Sequence, residues 1–368
     1  MEQRLLGKSG LHVSVLGLGT MTFGGKDRFG SMGNIQAKEA RRMLDLCHDA
    51  GVTLIDTADL YSFGAAEEIL GEVLKGRRND FVLATKAFMR MGPGIHDVGL
   101  SRKHLMQACE ASLRRLQTDC IDLYMAHDPD MLVPVEETLR AFEDLISQGK
   151  VCYMGCSNFS GWQLMKSLAV ADRLACSRYI SQEINYSLLA RDAEHELIPL
   201  GLDQGVGVMA WSPLGYGLLT GKFHRDARPA ETRLNSLEAP GTLDMERVYR
   251  IVDVLSEIAK ERGVTAAQVA FNWVLKKPCV GTVLIGARNE GQLRDDLAAA
   301  RWSLTAAEMA RLDTVSATPE PYPNWHHRRF AAERNPALAS MRTALASDID
   351  VLRKEAPQEI SEPLVRGN

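Results

Sequence analysis

The chain has 368 residues, and its 45% hydrophobic and 24% charged content is ordinary for a globular protein. This composition excludes a disordered chain, a collagen and a dense disulfide scaffold. The formal net charge of −4 offers no basic excess for binding nucleic acid. The N-terminus lacks the apolar core of a signal peptide, and no apolar run reaches the ~18 residues of a membrane span. We therefore expect a cytoplasmic protein that does not act at a membrane.

The cysteine pattern predicts reduced thiols. The seven cysteines are scattered through apolar segments, and none forms a CxxC pair. Cys152 and Cys156 lie close in the chain, but no further Cys or His completes the spacing of a zinc finger. We expect neither a disulfide framework nor a metal site.

Short apolar runs alternate with amphipathic stretches, which is the pattern of strands and helices in an α/β protein. The runs are often β-branched, as strands buried on both faces are, and they predict strands at Val13–Leu18, Thr53–Ile55, Phe81–Ala84, Ile121–Met125, Val151–Gly155, Tyr179–Ile184, Val206–Trp211 and Thr282–Ile285. The amphipathic stretches predict helices at Ala37–Ala50, Ser101–Leu116, Pro134–Gln148, Ser160–Leu174, Glu194–Gln204, Glu246–Arg262 and Glu290–Ala299.

The number of predicted strands is the one that a closed (β/α)8 TIM barrel requires. A doubly wound sheet is the competing interpretation, because local periodicity does not distinguish the two folds. The lack of any linker favours the barrel, which we place at residues 1–318. Before its first strand, residues 4–6 and 11–12 flank a Gly-containing turn and predict a short hairpin.

Two segments depart from the alternation. Residues 215–240, after the seventh strand, are rich in Gly, Pro and charge, and a long loop there is typical of functional segments. Residues 319–368 form a C-terminal extension in which Asn335-Pro336 predicts the start of a helix at 336–354. One face of that helix is apolar and must pack on the barrel, on an identical subunit or on a partner protein. Its residues are Leu338, Met341, Leu345, Ile349 and Leu352.

Familiar nucleotide and protease motifs are absent. The glycines after Gly17 fail the GxGxxG fingerprint at Thr22, and residues 215–222 resemble a P-loop but have one residue too many before Gly221. Phe223 then stands where a P-loop needs Ser or Thr. The sequence also contains no GxSxG elbow and no HExxH motif.

Polar residues follow the predicted strands, at the barrel end where chemistry gathers. Asp56 and Tyr61 follow the second strand, Lys86 ends the third and His127 follows the fourth. We expect Asp56 and Lys86 to form a partly buried ion pair, and the ammonium to lower the pKa of the Tyr61 hydroxyl. A Tyr tuned in this way donates a proton to a developing alkoxide and recovers it in the reverse direction. A structural ion pair is the alternative interpretation.

These residues lie in motifs that resemble the aldo-keto reductase family, which includes the β subunits of potassium channels. The likeness runs from about Arg4 to Trp325. Its motifs occur in the family's order, and they are RLLGKSGLHVSVLGLGTMTFGG, LIDTADLY, ATK, DLYMAHDPD, GCSNFS, AWSPLGYGLLTGK and IGARNEGQLRDD. The resemblance implies that Tyr61 is the general acid and base, that Lys86 and Asp56 tune it, and that His127 orients the carbonyl.

The resemblance also implies a reduced nicotinamide dinucleotide at the barrel mouth, with NADP(H) favoured over NAD(H). The residues that it implies as cofactor contacts are Thr20, Met21, Ser157, Asn158, Gln182, Trp211, Ser212, Leu214, Gly217, Lys222, Gly286, Arg288, Gln292 and Asp296. Of these, Ser157, Asn158 and Gln182 would hold the carboxamide, and Trp211 would stack on the ring. The segment from Ser212 to Lys222 would clasp the pyrophosphate.

The likeness has departures near the adenosine phosphate. Arg288 and Gln292 would bracket the 2′-phosphate, but the usual Arg would fall at Asn289, so Arg288 stands one place early. Asp296 stands where relatives place Asn, and a carboxylate there accepts hydrogen bonds but cannot donate to the adenine ring. These departures leave the preference between NADPH and NADH open.

Three functions compete. The first is an NADP(H)-dependent aldo-keto reductase of the alcohol dehydrogenase type, acting on a small carbonyl or alcohol substrate. The second is a cofactor-binding regulatory protein on the same barrel, in which the extension contacts a partner or forms a homo-oligomer. The third, a metal-dependent hydrolase, needs more His and carboxylate ligands at the strand ends than the chain offers. The loops predicted to line the substrate pocket are Phe23–Met32, Phe88–Asp97, Asp128–Leu132, residues 215–240 and Tyr322–Trp325.

Overall fold

The computed structural model describes residues 1–225 and 244–331. In this part of the chain, eight parallel strands form a closed barrel in chain order, and they are β3 (Leu16–Gly19), β4 (Leu54–Asp56), β5 (Val82–Ala87), β6 (Ile121–Ala126), β7 (Val151–Ser157), β8 (Ser181–Asn185), β9 (Gly207–Trp211) and β10 (Val280–Ile285). Pairing of β10 with β3 closes the ring. The prediction of an α/β fold with a (β/α)8 barrel is confirmed.

Helices surround the barrel and cover its apolar strands. They are α1 (Ala37–Asp49), α2 (Ala65–Val73), α3 (Arg102–Leu116), α4 (Val135–Ser147), α5 (Gly161–Leu174), α6 (Leu197–Gln204), α7 (Met245–Arg262), α8 (Ala266–Leu275), α9 (Glu290–Ala298) and α10 (Ala306–Val315). Side-chain caps fix several of the starts. The Ser101 hydroxyl accepts from the His104 amide, as its position predicts, and Ser160 and Gln163 form a capping box.

A hairpin of β1 (Gln3–Leu5) and β2 (His12–Ser14) closes the bottom of the barrel. The predicted first strand, Val13–Leu18, is therefore wrong as one element, because its first two residues belong to the hairpin. Leu6 and Val13 of the hairpin pack with Leu54, Ala84, Leu123, Met125, Met209 and Leu284 inside the barrel. Gly7 lies so close to the β8 and β9 ends that a Cβ would meet backbone atoms within 2.7 Å. The only open end is thus the one at the carboxyl ends of the described strands.

Several helices differ from the prediction. Helices α2, α8 and α10 were not predicted, and α8 shows why, because all ten of its residues are buried and it has no exposed face. The single helix predicted at 194–204 is two elements, a 3₁₀ turn at Asp192–Glu194 and then α6. Pro199 explains this start, since proline fits the first turn of a helix but not its interior.

The chain divides into two units, Met1–Thr318 and Pro319–Asn368. In the second unit the structure describes a short helix, α11 (Asn324–Phe330), and an ion pair of Arg328 with Glu320. The helix predicted at 336–354 and most of the predicted 215–240 loop lie outside the described residues, so the homo-oligomer contact stays a prediction. Among the described helices, none has the length and apolar character that crossing a membrane requires.

Candidate active site

Four polar side chains meet at the open end of the barrel. Asp56 ends β4, Lys86 lies near the end of β5, and His127 follows β6. Tyr61 begins a 3₁₀ turn after β4, where Ser62, Phe63 and the following glycine all have positive φ. The Ser62 hydroxyl holds this turn by donating to the Phe23 carbonyl at 2.6 Å. The strand register therefore brings together all four residues that the sequence predicts as catalytic.

Lys86 and Asp56 form a fully buried ion pair, not the partly buried one expected. Lys86 Nζ lies 2.7 Å from both carboxylate oxygens of Asp56 and donates to the Thr57 carbonyl at 3.0 Å. The two side chains are 0% and 2% exposed. Burial disfavours the ammonium, but the neighbouring carboxylates outweigh it and hold the pKa of Lys86 above its usual range. Lys86 is therefore a fixed positive charge in the interior.

Tyr61 lies against this charge, with Lys86 Nζ 5.3 Å from its ring centroid. The predicted lowering of the Tyr61 pKa is wrong for this structure. Burial raises the pKa above its ordinary value, and the carboxylates of Asp56 and Glu183 add to it, together outweighing the opposite effect of Lys86. Tyr61 is thus a protonated hydroxyl at neutral pH.

His127 packs edge-on to Tyr61, with ring centroids 6.1 Å apart. Burial, and after it the charge of Lys86, lowers the pKa of His127 to about 3. The imidazole is therefore neutral, and its buried Nδ1 has no hydrogen-bond partner among the described residues. A neutral imidazole with one N–H can orient a carbonyl oxygen but does not supply a charge.

Glu183 is a buried residue of this cluster that the sequence patterns did not indicate. Its Oε2 lies 3.2 Å from Lys86 Nζ inside the barrel, and the side chain is 4% exposed. Its neighbour Gln182 points the other way, because successive strand residues face opposite sides. Gln182 Nε2 donates to the Leu197 carbonyl at the start of α6, at 2.7 Å. The prediction that Gln182 holds the carboxamide is wrong, and the alternation along β8 was the signal available.

Other predicted contacts lie around the barrel mouth. The amide and hydroxyl of Thr20 both donate to the Asp56 carbonyl, at 2.9 and 3.0 Å. Ser157 Oγ donates to the Glu183 carbonyl at 3.2 Å. Asn158, with a positive φ, donates to the His127 carbonyl and accepts from the Trp211 indole. These bonds join the carboxyl ends of neighbouring strands into one rim.

The segment after β9 presents backbone to the open end. Ser212 has a φ of +52°, and its hydroxyl accepts from the Tyr216 amide at 3.2 Å. The Leu214 carbonyl accepts from the Gly217 amide, and Gly217 has a φ of +93° with open space within 4 Å of where a Cβ would lie. Lys222 follows and is exposed. An anion can therefore approach the backbone of this turn closely without a steric clash.

The segment after β10 carries the remaining predicted contacts. From the exposed Gly286 it reaches Arg288, whose guanidinium donates to the Ser31 carbonyl at 3.2 Å. The Arg288 amide donates to Gln292 Oε1 at 2.9 Å. Asn289, where the resemblance would place Arg, instead caps α9 by accepting from the Gln292 amide. Arg288 and Gln292 thus lie together at the start of a helix.

Asp296 is buried in α9 and only 6% exposed. Burial raises its pKa to about 8, and neighbouring Asp295 adds to the effect. The expectation that Asp296 is charged and cannot donate is therefore wrong at neutral pH. A protonated carboxyl offers one donor and one acceptor, as an Asn amide does.

An apolar wall surrounds Tyr61. Phe29, Met32 and Leu60 form a buried cluster, and the residues packed against it are Met21, Tyr61, Met89 and Met91. The Phe29 and Tyr61 ring centroids are 6.3 Å apart. Thioether side chains adapt to apolar surfaces of varied shape. Within the described residues, no group of three or more His, Cys, Asp or Glu side chains is placed to hold a metal ion.

The model of the Aldo/keto reductase family matches residues 15–317. The chain therefore belongs to the aldo/keto reductase family. This membership assigns it in general terms to the oxidoreductases. A probable voltage-gated potassium channel subunit beta of Arabidopsis thaliana is 39% identical over 306 residues, which cover 81% of this chain and 91% of that protein. A protein of the same description from Oryza sativa subsp. japonica is 38% identical over 307 residues, covering 81% and 91%.

A third relative of this aldo/keto reductase is the uncharacterized oxidoreductase YrpG of Bacillus subtilis (strain 168). It is 37% identical over 339 residues, which cover 88% of this chain and 99% of that protein. The relatives thus carry two kinds of description, a channel subunit and an oxidoreductase, over nearly the same part of the chain.

Proposed function

We propose that the protein is an NADP(H)-dependent oxidoreductase that reversibly reduces aldehydes or ketones to alcohols. One observation carries the proposal: the buried Lys86–Asp56 pair lies against the Tyr61 ring, with the neutral His127 beside it, at the open end of the barrel. A proton donor, a positive charge to stabilise its anion, and a neutral carbonyl-orienting group are what the protein must supply for carbonyl reduction, beside a cofactor that would donate the hydride.

Tyr61 moves the proton in this scheme. Its raised pKa keeps the hydroxyl protonated at neutral pH, ready to donate to the oxygen of a carbonyl as negative charge develops there. Lys86 stabilises the tyrosinate that remains, and Asp56 holds the ammonium in place. In alcohol oxidation, Tyr61 takes the proton back.

His127 orients the substrate. One imidazole N–H directed at the carbonyl oxygen would place that oxygen within reach of the Tyr61 hydroxyl. Its lowered pKa, to about 3, prevents it from competing with Lys86 as a second positive charge. His127 therefore positions the carbonyl, and Tyr61 supplies the proton.

The rim residues fit a nicotinamide dinucleotide, which when bound would supply the hydride. Ser157 and Asn158 would hold the carboxamide and Trp211 would pack on the ring, without Gln182. Gly217 leaves the backbone open to a pyrophosphate, and Lys222 follows it. The orphaned Nδ1 of His127 is a further sign that the mouth is built for polar groups from outside.

Support for NADP(H) over NAD(H) comes from Arg288, whose planar guanidinium suits a 2′-phosphate, beside Gln292 at the α9 start. The protonated state of Asp296 removes the repulsion that a carboxylate would exert there. The methionine-rich wall around Tyr61 favours apolar carbonyl compounds.

Oxidation of NADPH and NADH in the presence of a panel of aldehydes and ketones tests this function. We expect turnover in the wild type and a loss of about 10²–10⁴-fold in Tyr61→Phe. Tyr153→Phe is the matched control, since Tyr153 packs at the hairpin end of the barrel, and it should turn over normally. Full turnover in Tyr61→Phe would overturn the assignment.

The potassium channel descriptions of two relatives favour one second candidate, a cofactor-binding regulatory subunit. Tight NADPH binding without turnover on the panel would support that role. Turnover that depends on Tyr61 would exclude a purely regulatory role.

A further inference from the structure

Glu183, Asp56 and Lys86 form a buried cluster of two carboxyl groups and one ammonium. Lys86 Nζ lies 2.7 Å from both Asp56 oxygens and 3.2 Å from Glu183 Oε2. The three side chains are at most 4% exposed. Glu183 Oε2 is buried and has no hydrogen-bond partner among the described residues.

The charges in this cluster do not balance if both carboxyl groups are ionised. Buried like charges at this separation cannot both persist, so one carboxyl group holds a proton. The geometry identifies it. Asp56 takes two short bonds from Lys86, whereas Glu183 Oε2 is farther away and accepts no hydrogen bond of normal geometry from Lys86. Burial raises the pKa of both groups, that of Glu183 to about 8.

We propose that Glu183 is a positioning residue that carries a proton at neutral pH and whose ionisation draws Lys86 away from the Tyr61 side chain. The inference rests on the proposed function, because it concerns the proton that Tyr61 exchanges with substrate. Glu183 is a third ionisable group near Tyr61, beside Asp56 and Lys86. Its role in this proposal is to limit the formation of tyrosinate at alkaline pH.

The donors of Lys86 explain the effect. An ammonium has three N–H groups, and here they serve the two Asp56 oxygens and the Thr57 carbonyl, while the Tyr61 ring centroid lies 5.3 Å from Nζ. An ionised Glu183 draws the ammonium towards itself and places a second negative charge near the tyrosinate. The ionisable groups facing Glu183 are Asp56, Lys86 and Tyr61, while its register neighbours Ser157 and Met209 carry none.

The variant Glu183→Gln tests the proposal in the full-length protein. Glutamine keeps the shape and hydrogen bonding of a protonated glutamate but cannot ionise. In the wild type, Glu183 should contribute a carboxylic acid band to the infrared spectrum that disappears as pH rises through about 8, and Glu183→Gln should lack this contribution. Because Asp296 contributes a similar band, the difference between the two proteins is the quantity measured.

Tyr61 itself is the second readout. With ¹³C-labelled tyrosine, and Tyr61→Phe to assign the resonance, the ionisation constant of Tyr61 should rise about tenfold in Glu183→Gln. Asp296→Asn removes another buried acid and should leave the Tyr61 titration unchanged. Glu183→Asp restores a carboxyl group and should return the Tyr61 titration towards the wild type. Circular dichroism confirms that each variant is folded.

An unchanged Tyr61 titration in folded Glu183→Gln, or a difference spectrum between the two proteins without an acid band, would overturn the proposal. Neither measurement needs turnover, so the two proposals fail separately. If Tyr61→Phe abolishes reduction while Glu183→Gln leaves the Tyr61 titration unmoved, only the role of Glu183 is lost. If the titration moves but no carbonyl compound is reduced, only the proposed function is lost.

Discussion

The indole Nε1 of Trp211 donates a hydrogen bond to Asn158 Oδ1 at 3.1 Å, while Asn158 Nδ2 donates to the His127 carbonyl at 3.0 Å. Asn158 thereby links the ends of β6, β7 and β9, and it holds this position with a φ of +60°. The indole that would pack on a nicotinamide ring and the backbone of the carbonyl-orienting His127 are positioned by the same side chain.

Asn158→Ala should weaken NADPH binding by about fivefold, since the Trp211 indole loses its partner and a lost hydrogen bond usually costs about 1 kcal/mol. Calorimetric titration measures the affinity. Gln182→Ala is the matched control, because Gln182 faces α6 and not the barrel mouth. Equal losses of affinity in both variants would contradict the placement of the two side chains.

Lys86→Met should unfold more easily than the wild type and lose turnover. Removing the ammonium leaves the buried carboxyl groups of Asp56 and Glu183 without a cation, and breaking a buried pair usually costs about 3–5 kcal/mol. Urea unfolding followed by circular dichroism measures the change. Lys222→Met is the control, since Lys222 is exposed, and its unfolding should match the wild type. A Lys86→Met protein as stable as the wild type would contradict a charge held by Lys86.

Local sequence patterns were sufficient to predict the barrel. They were also sufficient to predict that four side chains lie close together, those of Asp56, Tyr61, Lys86 and His127. Buried parallel strands occur in the sequence as apolar runs. The residues at their carboxyl ends lie on one rim of the barrel, and this does not depend on where the helices begin and end. The same patterns missed α8, because a helix buried on every side has no periodicity to detect.

The errors at the site come from facts that only the packed structure contains. Gln182 and Glu183 are adjacent, and a shift of one residue in β8 exchanges the inward and outward side chains. The raised pKa of Tyr61 and of Asp296 follows from burial, which composition and motif spacing do not report. Sequence could therefore name the chemical groups at the site but not their protonation states.

Arg288→Ala should reduce the preference for NADPH over NADH. In the structure the guanidinium donates to the Ser31 carbonyl, so it is held near the α9 start at Gln292. Loss of a charged hydrogen bond to a phosphate is worth about 1.5–3 kcal/mol, or roughly 10- to 150-fold in NADPH affinity, with little change for NADH. Affinities for both nucleotides give the ratio. A variant that binds both as tightly as the wild type would show that Arg288 does not contact the 2′-phosphate.

Asp296 should make NADPH affinity depend on pH. Its pKa is raised to about 8, so the carboxyl group is protonated at neutral pH and ionises as the pH rises through that value. Only the protonated form can donate to an adenine nitrogen, and the ionised form also repels the 2′-phosphate. If binding requires the protonated form, affinity should fall about tenfold between neutral pH and about pH 9.

Calorimetry at both pH values measures this change. Asp296→Asn should bind NADPH tightly at both pH values. Glu183→Gln distinguishes Asp296 from Glu183, because this variant lacks the other carboxyl group that ionises near pH 8. Its NADPH affinity should still fall as the pH rises. A wild-type affinity that is flat over this range would show that Asp296 does not donate to the nucleotide.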